Sequence, residues 1–280
     1  MSSTLVELMC VAPAGEDRFV GQPERYGALG IYGGHFVGQA TAAGLATVDE
    51  TKLTHSLHGY FLNAGDPEQP INYAVTRLRE GRGAEVRAIL ATQGERPVFH
   101  MTASYKRPEA GDEHQPTMPD VDSPETIAGR NDGIQFNPPP VTGGRAEMLM
   151  ASPHFLQPEF IPDREPYLQV WIRCTDTSEI SDRDAQTVLA FFSDATLMFN
   201  SVIPHGLPFQ THRLTSLDHA AWFHRPAPVS EWLLFDQRSS AAADGRGMNH
   251  GQLYTRDGQL VMTLAQESML RRIPPPPQGK

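Results

Sequence analysis

One carboxylate, Asp194, stands inside a strongly apolar stretch, residues 188–199. This stretch predicts a buried helix on which Phe191, Leu197 and Met198 share a face with Asp194. Burying an unpaired carboxylate costs on the order of several kcal/mol, so such a residue needs hydrogen-bond partners or a chemical task. Burial raises the pKa of a carboxyl group and hydrogen-bond donors lower it again, which is the tuning that a general base requires. The alternative is an Asp near a helix end whose carboxylate reaches solvent.

A polar side chain that could accompany Asp194 lies in the last predicted strand. Alternate residues of this strand share one face, and they are Met262, Leu264, Gln266, Ser268 and Leu270. Because three of the five are apolar, the face points inward, and Gln266 becomes a buried amide that can both donate and accept hydrogen bonds. The alternative role for Gln266 is structural, as an amide that bonds to the backbone.

A second predicted strand, residues 214–223, offers a hydroxyl group and an Asp-His pair. Adjacent residues of a strand face opposite sides, so only one of Thr215 and Ser216 can join a given site. Asp218 and His219 diverge for the same reason. A catalytic dyad of these two is therefore less favoured than a cross-strand polar pair with a structural role.

Composition excludes several other classes of protein. The 280 residues carry 33 acidic and 23 basic side chains, a net charge of −10, which argues against a nucleic-acid-binding surface. The two cysteines, Cys10 and Cys174, are too few for a disulfide framework and indicate a reducing compartment. The sequence lacks a positively charged leader with a long apolar core, and it lacks a run of about 18 apolar residues. We therefore expect a cytoplasmic protein without membrane insertion.

Familiar catalytic and cofactor motifs are missing. The sequence has no Gly-x-Ser-x-Gly nucleophile elbow, phosphate-binding loop or dinucleotide fingerprint. His55 and His58 are three residues apart in a strand-like segment and would face opposite sides, so we predict no metal site there. Because the cofactor-binding motifs are missing, we also predict that the protein uses no cofactor. The glycine-rich residues 30–34 precede a helix and could meet an anion at its N-terminus, or could simply permit a tight turn.

The chain repeats one unit. A helix-like stretch at 35–48 has a counterpart at 185–198, and HGYF at 58 aligns with HAAW at 219. GRG at 81 aligns with GRG at 245, which places Thr102 opposite Gln266, so the first copy lacks its own Asp-hydroxyl-Gln set. Each unit predicts one helix followed by antiparallel strands, and the small residues of the first helix allow a sheet to wrap it closely. The fold class is thus α+β, with two helix-in-sheet units in tandem.

The predicted boundaries follow from composition. Residues 1–106 form the N-terminal unit, 107–147 a linker rich in Pro, Gly and acidic residues, 148–273 the C-terminal unit, and 274–280 a disordered tail.

Together these motifs resemble the acyl-CoA thioesterase II family, whose members are double hotdog proteins. The matching segments are YGGHFVGQ (32–39), HSLHGYFLNAGDP (55–67), MTAS (101–104), SLDHAAWFHRP (216–226) and QESMLR (266–271). The resemblance implies that the two units form an internal pseudo-dimer. It also implies hydrolysis of acyl-CoA thioesters to free fatty acid and CoA, without a covalent intermediate.

Carried over by motif, the family's water-activating residues fall on Asp194, Ser216 and Gln266, which selects Ser216 over Thr215. The resemblance assigns structural roles to Asp218 and His219. The implied partner is an acyl-CoA substrate, and further pairing into a homo-oligomer is expected because a hotdog sheet leaves edges to cover. Two alternatives use the same scaffold: a non-catalytic acyl-CoA-binding or sensing protein, and a hydratase or dehydratase, which would need a catalytic His beside the Asp.

Overall fold

Two units of identical strand order share one continuous antiparallel sheet. The computed structural model describes residues 3–26, 30–129, 144–152, 164–176 and 179–274. The first unit contains α1 (Leu5–Met9), β1 (Val11–Pro13), β2 (Arg18–Gly21), α2 (Gly33–Leu45), β3 (Leu53–Phe61), β4 (Ile71–Arg79), β5 (Ala84–Gln93) and β6 (Arg96–Lys106). After α3 (Pro124–Ala128), the second unit contains β7 (Ala146–Met150), β8 (Tyr167–Cys174), α4 (Asp182–Phe192), a 3-10 helix (Leu197–Val202), β9 (His212–Ser216), β10 (Asp218–Phe223), β11 (Leu233–Ala243), β12 (Arg246–Tyr254) and β13 (Leu260–Arg272).

The strand order demonstrates the duplication. It runs β1-β2-β4-β5-β6-β3 in the first unit and β7-β8-β11-β12-β13-β10 in the second, with β9 beside β13. The two halves join where β3 pairs with β10, in a register that sets His58 against Ala220. The predicted α+β tandem of two helix-wrapped units, a double hotdog with an internal pseudo-dimer, is confirmed by this topology.

The central helices α2 and α4 pack against each other inside the sheet. Every residue of α2 except Gly33 and Ala42 is buried. A Cβ atom on Gly38 would overlap the Met9 sulphur, and one on Gly44 would overlap the Tyr105 hydroxyl. The small residues of α2 are therefore required for close packing on all sides, as the sequence indicated.

The helix predicted over 188–199 ends earlier than expected. Helix α4 stops at Phe192, and Ser193 is its C-cap, with a side-chain hydroxyl that donates to the carbonyl oxygen of Ala190 at 2.7 Å. Further on, Gln237 Nε2 donates to Thr196 Oγ1 at 2.6 Å and holds the chain in a turn before the 3-10 helix. The prediction of an uninterrupted helix was wrong. Both α4 and the 3-10 helix are buried, so the residues on either side of the turn are equally apolar and the sequence pattern does not mark the break.

Part of the predicted linker packs against the second unit. Ile127 of α3 belongs to a small apolar cluster with Trp171 and Leu234, and Trp171 Nε1 donates to the carbonyl oxygen of Asp122 at 2.9 Å. Strand β7 begins at Ala146, before the predicted linker ends. The division of the chain at 106, 147 and 273 stays a prediction, and the tail beyond Pro274 lies outside the described residues. None of the helices in the described ranges is long and apolar enough to cross a bilayer.

Candidate active site

Asp194, Ser216 and Gln266 come together from three elements of the second unit. Asp194 lies in the turn after α4, Ser216 ends β9, and Gln266 lies on the inner face of β13. Gln266 Nε2 donates to Asp194 Oδ1 and lies 3.2 Å from Ser216 Oγ. Asp194 is 5% exposed and Gln266 is fully buried. Gln266 therefore bridges the other two side chains.

The first unit contributes the N-terminus of α2 to the same cluster. The backbone N–H of Gly34 hydrogen-bonds the Asp194 carboxylate, and a Cβ atom on Gly33 would lie 2.5 Å from Asp194 Oδ2. The hydroxyl of Tyr32, the residue before α2, donates to the carbonyl oxygen of Phe191 at 2.9 Å and ties the two units together. A helix N-terminus favours negative charge, so α2 stabilises the carboxylate that the second unit supplies.

These glycines also explain the turn into α2. Gly30 has a φ of 80°, in the left-handed region that glycine adopts without strain. The glycine-rich segment thus serves both roles that the sequence left open, since Gly30 permits the turn and Gly34 contacts a carboxylate.

Burial raises the pKa of Asp194 to about 7 from its ordinary 3.8. The hydrogen bonds from Gln266, from the backbone of Gly34 and from Ser216 lower this pKa and limit the shift. At neutral pH the carboxyl group is therefore poised between its two protonation states. A group with this pKa can both take up and release a proton near pH 7.

His219, for which the sequence analysis predicted a structural role, is also a member of this cluster. The Ser193 hydroxyl has one hydrogen, which it donates to Ala190, so it accepts a hydrogen bond from His219 Nε2 at 2.7 Å. His219 Nδ1 is then an acceptor, and it faces Gln266 Nε2 at 3.3 Å. Burial lowers the pKa of His219 to about 4, so the ring is neutral near pH 7.

This hydrogen-bond chain fixes the orientation of the Gln266 amide. With the amide reversed, Gln266 Oε1 would face both the lone pair of His219 Nδ1 and the carboxylate of Asp194. The observed orientation turns the NH₂ group toward both acceptors and leaves Oε1 buried with no hydrogen-bond partner in the described chain. A signal for His219 existed in the sequence: it lies three residues after Ser216, but only the fold shows that its ring meets Gln266.

The remaining candidates lie apart from this cluster. Asp218 faces away from His219 and accepts hydrogen bonds from His58 Nε2 at 3.0 Å and from the backbone of Glu267 at 2.7 Å. His55 of β3 hydrogen-bonds Ser104 at 2.8 Å, so His55 and His58 have different partners. Thr215 is exposed. Among the described residues, no three His, Cys, Asp or Glu side chains are grouped to hold a metal ion.

An apolar wall borders the carboxylate on the side of the first unit. The Phe61 ring lies 3.0 Å from the position that a Gly33 Cβ atom would occupy, and it packs on Phe99 with 5.1 Å between ring centroids. Phe99 in turn stacks on Phe36 at 6.2 Å. The carboxylate therefore lies between a polar cluster and the aromatic core of the first unit, in which Phe36 and Phe99 are buried.

Known proteins resemble this chain along nearly its whole length. Family models for the acyl-CoA thioesterase N-terminal and C-terminal domains match residues 22–106 and 108–270. Acyl-CoA thioesterase 2 of Haemophilus influenzae is 32% identical over 96% of this chain and 97% of its own. Human acyl-coenzyme A thioesterase 8 is 31% identical over 100% of this chain and 92% of its own.

A solved structure agrees with these matches. The acyl-CoA thioesterase II TesB2 from Mycobacterium marinum superposes with a TM-score of 0.80, at 30% identity over 98% of both chains. By its sequence, its fold and its two matching domain models, the chain belongs to the acyl-CoA thioesterase II family and is a thioester hydrolase by class.

Proposed function

We propose that this protein hydrolyses acyl-CoA thioesters to free fatty acid and CoA, and that Asp194, Ser216 and Gln266 activate the attacking water. One observation carries the proposal: a buried carboxyl group with a pKa of about 7 is held between an amide from β13 and the N-terminus of α2. A carboxylate in that setting is suited to general-base chemistry near neutral pH.

In the proposed reaction, Asp194 takes a proton from water as the water oxygen attacks the thioester carbonyl. The C–S bond then breaks, and the proton passes from Asp194 to the departing CoA thiolate. A thiol has an ordinary pKa of about 8.5, so proton transfer from a group near 7 is favourable. Gln266 orients the carboxylate through Nε2, and its unpaired Oε1 is an acceptor for the attacking water.

The deciding experiment measures release of free thiol from a panel of acyl-CoAs of short to long chain length. Hydrolysis of at least one member by the wild-type protein is expected, and the panel reveals the preferred chain. Saturable binding of acyl-CoA without thiol release from any member would favour the non-catalytic binding protein instead.

The rate should depend on pH through Asp194. The base is active when deprotonated, so kcat/KM should fall by about tenfold per unit as the pH decreases below about 7, and should level off above it. The profile is best measured by loss of thioester absorbance, which does not depend on ionisation of the product thiol. A flat profile from pH 5.5 to 8.5 would exclude a base with the raised pKa.

His219 provides a test of amide orientation through two complementary substitutions. His219→Gln keeps a donor near the position of Nε2, toward Ser193, but removes the acceptor that faces Gln266. His219→Asn supplies an acceptor near the position of Nδ1 and abandons Ser193. Without the Nδ1 acceptor, the Gln266 amide is free to rotate, and Asp194 then loses the hydrogen bond that Gln266 Nε2 donates to it. His219→Gln should therefore lower kcat by roughly 10- to 100-fold.

The pH profile separates this positioning role from simple packing. In His219→Gln the acidic limb of kcat/KM should move to higher pH, because a weaker hydrogen bond from Gln266 raises the pKa of Asp194. His219→Asn should restore most of kcat and return the limb toward its wild-type position. Equal behaviour of the two variants would contradict the role assigned to His219.

A further inference from the structure

Basic side chains lie where β9 begins and β13 ends, at the other end of β9 from Ser216. The register pairs Arg213 directly with Arg271, and His212 with Arg272. Adjacent residues of a strand alternate in face, so Arg213 and Arg271 project from one face of the sheet and Arg272 from the other, the face of His212. All three arginines are exposed at the strand ends, whereas His212 is buried. We call these four residues the basic patch.

Within the described residues, no carboxylate compensates the charge of the three arginines of the basic patch. None of them forms an ion pair or a side-chain hydrogen bond within the described part of the chain. Glu267 of β13 bonds to Arg246 instead, at 2.8 Å, and so does Asp244 of the turn between β11 and β12, at 2.6 Å. Like charges directly opposite each other in a sheet are destabilising, and in a protein of net charge −10 this pairing indicates a site for an anion.

The electrostatic surroundings of His212 also indicate an excess of positive charge at this end of β9. The pKa of His212 is lowered by its burial and also by the positive charge of Arg272 and by His205. Two basic groups thus act on His212 from different elements, since Arg272 ends β13 and His205 follows the 3-10 helix.

The spacing from the catalytic cluster matches the length of a pantetheine arm. Arg213 and His212 precede Ser216 by three and four residues, which corresponds to about 10–13 Å along a strand. Thirteen bonds separate the thioester sulphur of an acyl-CoA from the first phosphorus atom. At the spacing of an extended chain, these bonds span about 15 Å.

Strand β9 also offers an edge for that arm. On the side away from β13, β9 is bridged only at its first residue, where His212 pairs with Pro208 and accepts a hydrogen bond from the Phe209 N–H, and residues 213–216 have no strand partner there in the described chain. An unpaired strand edge presents N–H and C=O groups in a row, and a ligand with two amide groups can hydrogen-bond to such an edge.

An exposed aromatic ring borders the basic patch. Phe209 is 43% exposed and has a φ of 60°, although it is not a glycine. Its backbone N–H donates to the carbonyl oxygen of His212 at 2.9 Å, and its ring meets Phe199 edge-on at 5.8 Å. Strained residues of this kind persist where the surroundings impose them, often at ligand sites, and an open ring face suits a nucleobase.

We propose that Arg213, Arg271 and Arg272 bind the phosphate groups of CoA, with the pantetheine arm along the edge of β9 from Arg213 to Ser216 and the adenine against Phe209. This proposal rests on the proposed function. It assigns the substrate's nucleotide to a surface, whereas the catalytic cluster acts on the thioester.

The test compares two thioesters of one acyl group, on CoA and on N-acetylcysteamine, which has no phosphate or adenine. In the double variant Arg213→Gln, Arg271→Gln, KM for the acyl-CoA should rise by about tenfold or more with kcat within twofold, because two charge-assisted contacts are lost. The kcat/KM for the N-acetylcysteamine thioester should stay unchanged. The matched control is Arg82→Gln, an exposed arginine in the turn before β5, which should behave as wild type with both substrates.

Salt adds a second measurement. KM of the wild-type protein for the acyl-CoA should rise with ionic strength, and the double variant should lose much of that dependence. An unchanged KM for the acyl-CoA would overturn the phosphate site, and equal losses with both substrates would show that the patch is structural.

Failure of the proposed function would look different, because the wild-type protein would then hydrolyse neither thioester. In that case calorimetric titration with CoA decides: weaker binding of CoA by the double variant than by Arg82→Gln supports the site, and equal binding overturns it.

Discussion

Replacing Asp194 by Asn should lower kcat by about 10²- to 10⁴-fold, the contribution expected of a positioned general base. Asparagine has nearly the same shape and can still accept the hydrogen bond from Gln266, but it cannot take a proton from water. Binding of acyl-CoA should persist, since the apolar wall and the basic patch are untouched. Full activity of Asp194→Asn would overturn the assignment of the base.

Stability measurements distinguish this loss from unfolding. The pKa of Asp194 is about 7 in the folded protein, against the ordinary value of 3.8 for the unfolded chain, so between these values the folded state binds more protons. The free energy of unfolding of the wild-type protein therefore falls as the pH rises through this window. Asparagine does not titrate, so Asp194→Asn should unfold at an equal or higher temperature than wild type at pH 8, and this advantage should shrink toward pH 4. An unfolded variant at pH 8 would contradict the burial argument.

Replacing Gly33 by Ala should lower kcat by about 10²-fold, although Gly33 is not one of the residues that react. The added Cβ atom would lie 2.5 Å from Asp194 Oδ2, closer than real Cβ contacts, and 3.0 Å from Phe61 Cε1, which is tighter than most of them. Either the carboxylate rotates away from Gln266 or the N-terminus of α2 moves outward. A misplacement of about 1 Å at a reacting group can cost about 10²-fold in rate.

The expected loss of kcat in Gly33→Ala does not come from strain in the backbone at residue 33. Gly33 has no positive φ, and alanine is favoured over glycine within helices, so the substitution is otherwise suited to this position. The matched control is Gly83→Ala, in the turn before β5, where a Cβ atom meets nothing within 4 Å. Wild-type kcat is expected for Gly83→Ala, and wild-type kcat for Gly33→Ala would show that α2 does not constrain the carboxylate.

Local patterns in the sequence were sufficient to predict the repeat, the fold class and the roles considered for Asp194 and Gln266, whereas the choice of Ser216 over Thr215 came from the resemblance to the family. Period-two alternation placed Gln266 on the inner face of its strand and separated Asp218 from His219, because strand periodicity depends only on the backbone. The apolar residues on either side of Asp194 in the sequence indicated that its carboxylate is buried, which is again a local pattern. The motifs in both halves indicated the family, and the family matches confirm it.

Other features depended on contacts between distant residues. An apolar pattern reports which residues are buried but not where a helix ends, so the turn that presents Asp194 was missed. The pairing of β3 with β10 brings α2 of one unit to the carboxylate of the other, and it makes Gly33 and Gly34 part of the site. His219 meets Gln266 through the adjacency of β10 and β13.

The sequence by itself thus determined which side chains are buried and polar, since burial and strand face follow from local periodicity. Only the tertiary structure decided their partners, because hydrogen bonds across two units depend on the packing of helices and strands that lie far apart in the chain.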